Sequence, residues 1–180
     1  VNLQVQAAPS GELLEGVLGH RLDAALVDGP PSLAGLDGVP LCDEQLVLIT
    51  SPEHPAVHSA RDVAGNAVFT FRQGCSYRMR LEAWYAHAHT PMGRVMEIES
   101  YQSMLACVIA GAGVAMMAQS MLDSLPGRDR VRAHRLQAPF DQAVTWLMWR
   151  QGMRGANLQA WIELQQSETI NQPSECAVSA

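Results

Sequence analysis

The 180-residue sequence predicts an α/β fold with largely parallel sheets, divided into two lobes. Short β-type runs alternate with amphipathic helical segments along most of the chain. The pattern starts again after an extended stretch near residue 45, and a late β-type run near residue 143 can return to the first part. We therefore expect lobe I to contain residues 1–45 and 143–166 and lobe II residues 46–142, joined by two extended hinge crossings.

Lobe I begins with a β-α-β pattern. Residues 1–7 alternate apolar and polar side chains, as in a strand with one solvated face. Ser10 is placed to cap the helix that follows, and Gly19 can end that helix. Residues 23–27 form a short apolar run, typical of a strand buried on both faces.

Lobe II repeats the strand-helix pattern. The predicted strands are residues 45–50, 67–71, 95–98, 114–117 and 131–136. Helices are predicted over residues 77–88 and from Ser100 to the glycines at 111 and 113, which can end the second helix. In the returning part of lobe I, residues 144–149 predict a strand and residues 157–165 a helix, and residues 167–180 have the composition of a flexible tail.

Composition excludes several classes of protein. The chain has 12 Lys plus Arg residues, all of them arginine, so it carries no P-loop lysine and no lysine for a Schiff base. Its formal net charge is −6 and its arginines are scattered, so we do not expect this chain alone to bind DNA. The four cysteines are far apart and form no CxxC pair, which predicts reduced thiols and no zinc site.

Neither a membrane span nor a signal peptide is predicted. The longest uncharged stretch, residues 100–122, is continuously apolar only over 104–118 and contains two glycines. The first residues lack a basic start and an apolar core. We therefore expect a cytoplasmic protein without a membrane partner.

Candidate ligand contacts lie at three predicted helix starts. Ligands of α/β folds bind where strands end and helix N-termini present free N–H groups, here at residues 8–10, 74–76 and 99–101. Ser76 and Ser100 can hold an anion through the hydroxyl and nearby N–H groups, or each can simply cap its helix. Arg72 and Arg78 lie beside the second of these starts and can contact the same anion, although a solvated helix face explains Arg78 equally well.

Cys75 and the histidines invite sharper hypotheses. A thiol at a helix start can be a nucleophile or a redox switch, but the local sequence offers no base, which favours an inert or ligand-lining thiol. His54 and His58 are separated by Pro55, so they are not expected to chelate a metal from one helical turn. We predict no metal and no cofactor. Trp146 is expected in the core, or alternatively in the ligand cleft.

Four stretches of the chain resemble a known family. They are residues 11–26, residues 46–55, Phe71-Arg-Gln-Gly-Cys-Ser-Tyr-Arg78 with Leu81-Glu-Ala-Trp84, and residues 99–114. Their order and spacing resemble the effector-binding domain of LysR-type transcriptional regulators over nearly the whole chain. The resemblance implies a two-lobed fold like type II periplasmic binding proteins, with the first strand and helix of lobe I absent. It also implies that the domain is not an enzyme.

The resemblance implies partners and a site. The implied partners are a small effector similar to an organic acid or amino acid, a homodimer or homotetramer, and DNA only through an N-terminal helix-turn-helix domain outside this chain. The expected effector contacts are Ser10, Gly74, Cys75, Ser76, Tyr77, Ser100, Tyr101 and Met117. Family members more often continue with Leu-Pro at Met117, so the cleft is expected to differ there. A periplasmic solute receptor and a cysteine hydrolase using Cys75 are the alternatives.

Overall fold

The structure is a computed structural model that describes residues 3–29 and 33–171, with side chains up to Leu164. The chain divides into two compact units, Val1–Glu44 with Ala143–Ala180, and Gln45–Gln142. The helices are α1 (Ser10–Leu18), α2 (Ser76–His87), α3 (Tyr101–Ile109), α4 (Gln119–Ser124) and α5 (Ala156–Asn171). The strands are β1 (Ala24–Asp28), β2 (Leu36–Thr50), β3 (Val68–Thr70), β4 (Val95–Glu97), β5 (Val114–Ala118), β6 (Arg132–Arg135) and β7 (Gln142–Arg150). Short 3-10 helices occupy Ala60–Val63 and Arg128–Arg130.

The unit Gln45–Gln142 contains a mixed sheet with the strand order β6-β2-β5-β3-β4. β3 is parallel to β4 and β5, because helices α2 and α3 return the chain to the same end of the sheet. β2 is antiparallel to both β5 and β6. Apolar residues of α3 pack with alternate residues of β2 and β5 to form the core of this unit.

The other unit is built on the antiparallel pair β1 and β7, with β7 also next to β2. Alternate residues of β7 serve two cores: Met148 packs with residues of α1 and β1, whereas Leu147 and Trp149 pack with Ile162 of α5. β7 approaches β2 closely at Gly38, where an added Cβ would lie 3.0 Å from the carbonyl oxygen of Leu147.

The α/β class and most predicted elements are confirmed, but the expectation of largely parallel sheets is wrong. The parallel pairs recorded for the described residues lie around β3, where a helix connects successive strands. The long strands β2 and β7 carry the chain between the two units and pair antiparallel with their neighbours β5, β6 and β1. The sequence pattern identified these strands without revealing their directions.

Both ends of the chain also differ from expectation. Residues 3–9 form no strand: Leu3 is 80% exposed and Val5 85%. Alternation alone does not produce a strand, because strand backbone groups need a hydrogen-bonding neighbour. At the other end, α5 continues to Asn171, which places the first residues of the predicted tail in a helix. The remainder of that predicted tail, residues 172–180, lies outside the described residues.

Two further properties bear on the expected cellular setting. Within the described part of the chain, no helix has the length and apolar character that crossing a membrane requires. Cys75 and Cys107 are free thiols. Cys42 is disulfide-bonded, so the expectation of reduced thiols is wrong at that position.

Candidate functional site

The start of α2 follows a tight turn after β3. Gly74 has φ +91°, a backbone conformation that glycine adopts without steric cost, and the N–H of Cys75 donates to the carbonyl of Arg72 at 3.3 Å. Cys75 occupies the cap position and Ser76 is the first helical residue. Among the described residues, no group forms a hydrogen bond with the Ser76 hydroxyl. Ser76 therefore does not cap α2.

The start of α3 is capped as one of the two interpretations predicts. The Ser100 hydroxyl accepts from the N–H of Ser103 at 3.3 Å and donates to Oε1 of Gln102 at 3.0 Å. Ser100 has the extended backbone typical of a cap residue, with φ −141°. Its hydroxyl thus stabilises the helix by accepting from an N–H group of the first turn, where no backbone carbonyl of the preceding turn is available.

An aromatic contact joins the segment before α2 to the start of α3. Phe71, four residues before the cap of α2, meets the ring of Tyr101, the first residue of α3, edge to face with centroids 4.8 Å apart. Both rings are half-buried and pack against the core of the unit. This places the residue 71–76 segment beside residues 100–101, as the predicted site requires. Phe71 was absent from the predicted contacts, although its aromatic character at a strand end was visible in the sequence.

Arg78 forms hydrogen bonds with three other residues of its own unit. Its Nε donates to Glu82 at 2.8 Å, and its Nη1 donates to Glu97 and to the carbonyl of Phe71. Hydrogen bonds to Glu82 and then Glu97 raise the pKa of the guanidinium above its usual value. These contacts connect α2, β4 and the segment before α2. They favour a positioning role for Arg78 over direct contact with an anion. The side chain of Arg72 is exposed to solvent.

Met117 lies in the core of its unit. It is fully buried in β5 and packs in the core with residues of β2 and α3. All five residues of β5 are buried, because the strand lies between two neighbours and is covered on both faces. The expectation of an effector contact at Met117 is therefore not carried forward.

Ser10 lies in the other unit and does not have its predicted local role. It is the first residue of α1, Pro9 occupies the cap position, and no side chain caps this helix. The N–H of Leu13 donates to the carbonyl of Pro9, which makes the first bond of the helix. In the same unit, Trp146 packs against the core of α1 and β1, and its buried indole N–H has no hydrogen-bond partner among the described residues.

The described residues give little support for catalysis or metal binding. The thiol of Cys75 is half-buried and has no hydrogen-bonded base among them. No group of three or more His, Cys, Asp or Glu side chains that could hold a metal ion occurs in the same part of the chain. The candidate site consists of the starts of α2 and α3, the hydroxyl of Ser76, which bonds no described group, and the rings of Phe71 and Tyr101.

Comparison with known proteins decides the family. The model of the LysR substrate binding domain matches residues 1–169. The chain belongs to the LysR substrate-binding domain family. Among its relatives, the HTH-type transcriptional regulator GltR of Bacillus subtilis (strain 168) is 29% identical over 150 residues, which cover 83% of this chain and 51% of GltR. This LysR domain thus spans about half the length of GltR.

Solved structures support the fold of the LysR domain. The regulatory domain of Synechocystis PCC6803 CcmR, in complex with 2-PG, has a TM-score of 0.77 at 17% identity, covering 89% of this chain and 80% of that one. The effector-binding domain of QuiR, in complex with shikimate, has a TM-score of 0.74 at 13% identity, covering 92% and 80%. The predicted periplasmic-binding-protein-like fold is confirmed, and neither the transport receptor nor the cysteine hydrolase is favoured.

Proposed function

We propose that this LysR domain senses a small anionic metabolite and thereby changes promoter binding by a helix-turn-helix domain of the same protein. The observation that carries the proposal is the contact between Phe71 and Tyr101, which joins the segment leading into α2 to the start of α3. The two helices follow the neighbouring parallel strands β3 and β4, so they begin at the same edge of the sheet. Each start presents N–H groups that have no partner within their helix, and the two helix dipoles favour negative charge at the same place.

The proposed contacts follow from this geometry. The anionic group lies against the first turns of α2 and α3 and accepts from the hydroxyl of Ser76 and from N–H groups of Ser76, Tyr77 and Tyr101. Gly74 and Cys75 shape the turn, and Ser100 keeps the first turn of α3 in place through its bond to Ser103. Arg72 is retained as an anion contact, whereas Arg78 positions the segment that carries Phe71.

We propose that the unit containing α1 also supplies an effector contact. We assign residues 1–45 and 143–166 to lobe I and residues 46–142 to lobe II, with Ser10 as the effector contact of lobe I. An effector that binds one lobe arrangement more tightly than the other, by about 1–3 kcal/mol, is sufficient to shift the attached DNA-binding domains. Shikimate carries a carboxylate, so the QuiR complex supports an organic acid or a similar anion as effector.

We propose that the whole protein acts in the cytoplasm as a homodimer or homotetramer. Its DNA contacts come from its helix-turn-helix domain. The domain performs no catalysis and needs no cofactor, which agrees with the regulatory role of GltR and with the lack of a base bonded to Cys75 among the described residues.

The test is a calorimetric comparison of variants. A thermal-shift screen of organic acids and amino acids identifies a ligand, because binding to the folded state raises the melting temperature. We expect Ser76→Ala to weaken binding of that ligand by about 1 kcal/mol or more, the scale of a hydrogen bond to a charged group. Ser124→Ala on α4 is the control and should bind as the original chain does. Unchanged affinity in Ser76→Ala and Ser100→Ala together would refute the site.

A further inference from the structure

A buried histidine connects β6 to the segment that follows β2. His134 in β6 is 7% exposed, and its neighbour across the sheet is Leu48. Its Nδ1 accepts from the N–H of Val57 at 3.2 Å, and its Nε2 lies 2.9 Å from the hydroxyl of Thr50. The ring therefore bridges the end of β2 and the middle of residues 51–59, which we call the 51–59 segment.

The hydrogen bonds fix the protonation state of the ring. Because Nδ1 accepts from an N–H group, the proton of the neutral ring is on Nε2, which donates to the hydroxyl of Thr50. That hydroxyl donates in turn to the carbonyl of Ser51 at 3.0 Å. A second proton on Nδ1 would point at the N–H of Val57 and remove this acceptor, whereas the bond to Thr50 would remain.

The charges around the ring oppose its protonation. The titratable and charged groups on β6, on the 51–59 segment and on the 3-10 helix that follows it are Glu53, His54, His58, Arg61, Asp62, Arg132 and Arg135. Those of β2 are Asp37, Asp43 and Glu44, in the part of the strand that precedes its pairing with β6. The ring of His54 lies 6.5 Å from that of His134, and Arg132 donates to the carbonyl of His54. The carboxylate of Asp62 accepts hydrogen bonds from the N–H groups of His58 and Ser59, both at 2.8 Å. No carboxylate of the described residues bonds to His134.

We propose that His134 is a proton-operated latch: its neutral ring holds the 51–59 segment against β6, and its protonation releases that segment at mildly acidic pH. The inference does not depend on effector binding, because none of these residues belongs to the proposed site. The consequence is local opening at one edge of the sheet, since β6 is an edge strand of its unit.

The direction of the effect follows from the pKa of the group. Burial lowers the pKa of His134 below its usual value, and Arg132, His54 and His58 lower it further. The hydrogen bonds of the neutral ring therefore hold the 51–59 segment fully above about pH 6.5, which is the usual pKa of histidine in an unfolded chain. Its contribution to stability is lost as pH falls through the lower pKa of the folded state.

Amide exchange of Val57 in the 180-residue chain tests the latch. After correction for the intrinsic rate, we expect this amide to exchange up to about tenfold faster at about pH 5.5 than at about pH 7.5, because one proton is taken up on opening. Amides in β5 should keep their protection across the same range. Ring nitrogen chemical shifts of His134 should show that its protonation and the loss of protection occur together.

Two substitutions separate the two hydrogen bonds. His134→Asn retains an acceptor near the Nδ1 position and does not titrate, so the Val57 amide should be protected at both pH values. His134→Gln retains a polar group near the Nε2 position only, so this amide should exchange rapidly at both. His54→Asn is the matched control and should keep the pH-dependent release, because the three bonds around His134 remain.

If a variant fails to fold, the amide exchange and ring nitrogen shifts of the original chain still test the proposal. Protonation of His134 without faster exchange at Val57 would contradict it. So would a chain in which the Val57 and β5 amides lose protection together, because the event would then be global unfolding and not local release.

Discussion

Phe71 and Tyr101 meet edge to face, with planes at 80° and centroids 4.8 Å apart, and they join two segments that are 30 residues apart in sequence. The contact fixes the start of α3 against the turn that leads into α2. Neither residue carries a charge.

Removing one ring should destabilise the unit and loosen the site. We expect Phe71→Ala to lower the free energy of unfolding by about 2 kcal/mol, because a half-buried aromatic side chain and its ring contact are lost. Tyr101→Phe keeps the ring and should change much less. Urea denaturation followed by circular dichroism measures both. Equal losses in the two variants would contradict a role for the ring contact.

The two serines at the helix starts should differ in their effect on stability. Ser100→Ala removes a cap and should lower the free energy of unfolding by about 1 kcal/mol. Ser76→Ala removes a hydroxyl that bonds no described group, so its effect should stay within about 0.5 kcal/mol. Denaturant titration compares them directly. A larger loss in Ser76→Ala would mean that its hydroxyl has a structural partner.

The ion pair between Arg78 and Glu97 should contribute modestly. Arg78 is 14% exposed, but Glu97 is 55% exposed, so solvent screens their attraction. A double-mutant cycle with Arg78→Gln and Glu97→Gln should give a coupling free energy of about 0.2–1 kcal/mol, and less at high salt. A coupling of zero at low salt would show that Arg78 holds Phe71 through the carbonyl bond alone.

Tyr85 should limit stability at alkaline pH. Its hydroxyl is buried and has no hydrogen-bond partner in the described part of the chain, and burial raises its pKa to about 12. Because the folded-state pKa exceeds the unfolded value of about 10, stability is lost as pH rises from about 10 towards 12. Tyr85→Phe removes both the titration and the unsatisfied group, so it should be neutral or stabilising at pH 7. Chemical denaturation at pH 7 and at about pH 10.5 measures this; a variant as sensitive to alkali as the original chain would contradict it.

Local sequence patterns predicted the elements whose signals are local. The apolar stripe before Gly19, the run at β1 and the cap at Ser100 each depend on neighbouring residues, and the structure has all three. The first part of β2 was missed, because residues 36–44 contain Gly38 and Pro40, which are typical of loops. Here pairing with β7 outweighs the local preference of the chain.

The effector site remains a prediction, and the contacts of its residues depend on distant parts of the sequence. Helix starts can be located from sequence, so the grouping of Ser76 with Ser100 was accessible. The partner Glu97 of Arg78 was not, because Glu97 reaches it only through the pairing of β3 with β4, whereas Glu82 lies four residues further along the same helix. The burial of Met117 likewise follows from the position of β5 between two strands, which no local pattern encodes.

Mapping a bound anion onto the backbone tests the central claim most directly. A ligand from the screen of organic acids and amino acids is titrated into the 15N-labelled chain, and amide shifts are followed by NMR. The account predicts that the largest changes fall on Ser76, Tyr77 and Arg78 at the start of α2 and on Tyr101 and Gln102 at the start of α3. A ligand that binds but leaves both helix starts unchanged, or a screen in which no anion binds, would contradict it.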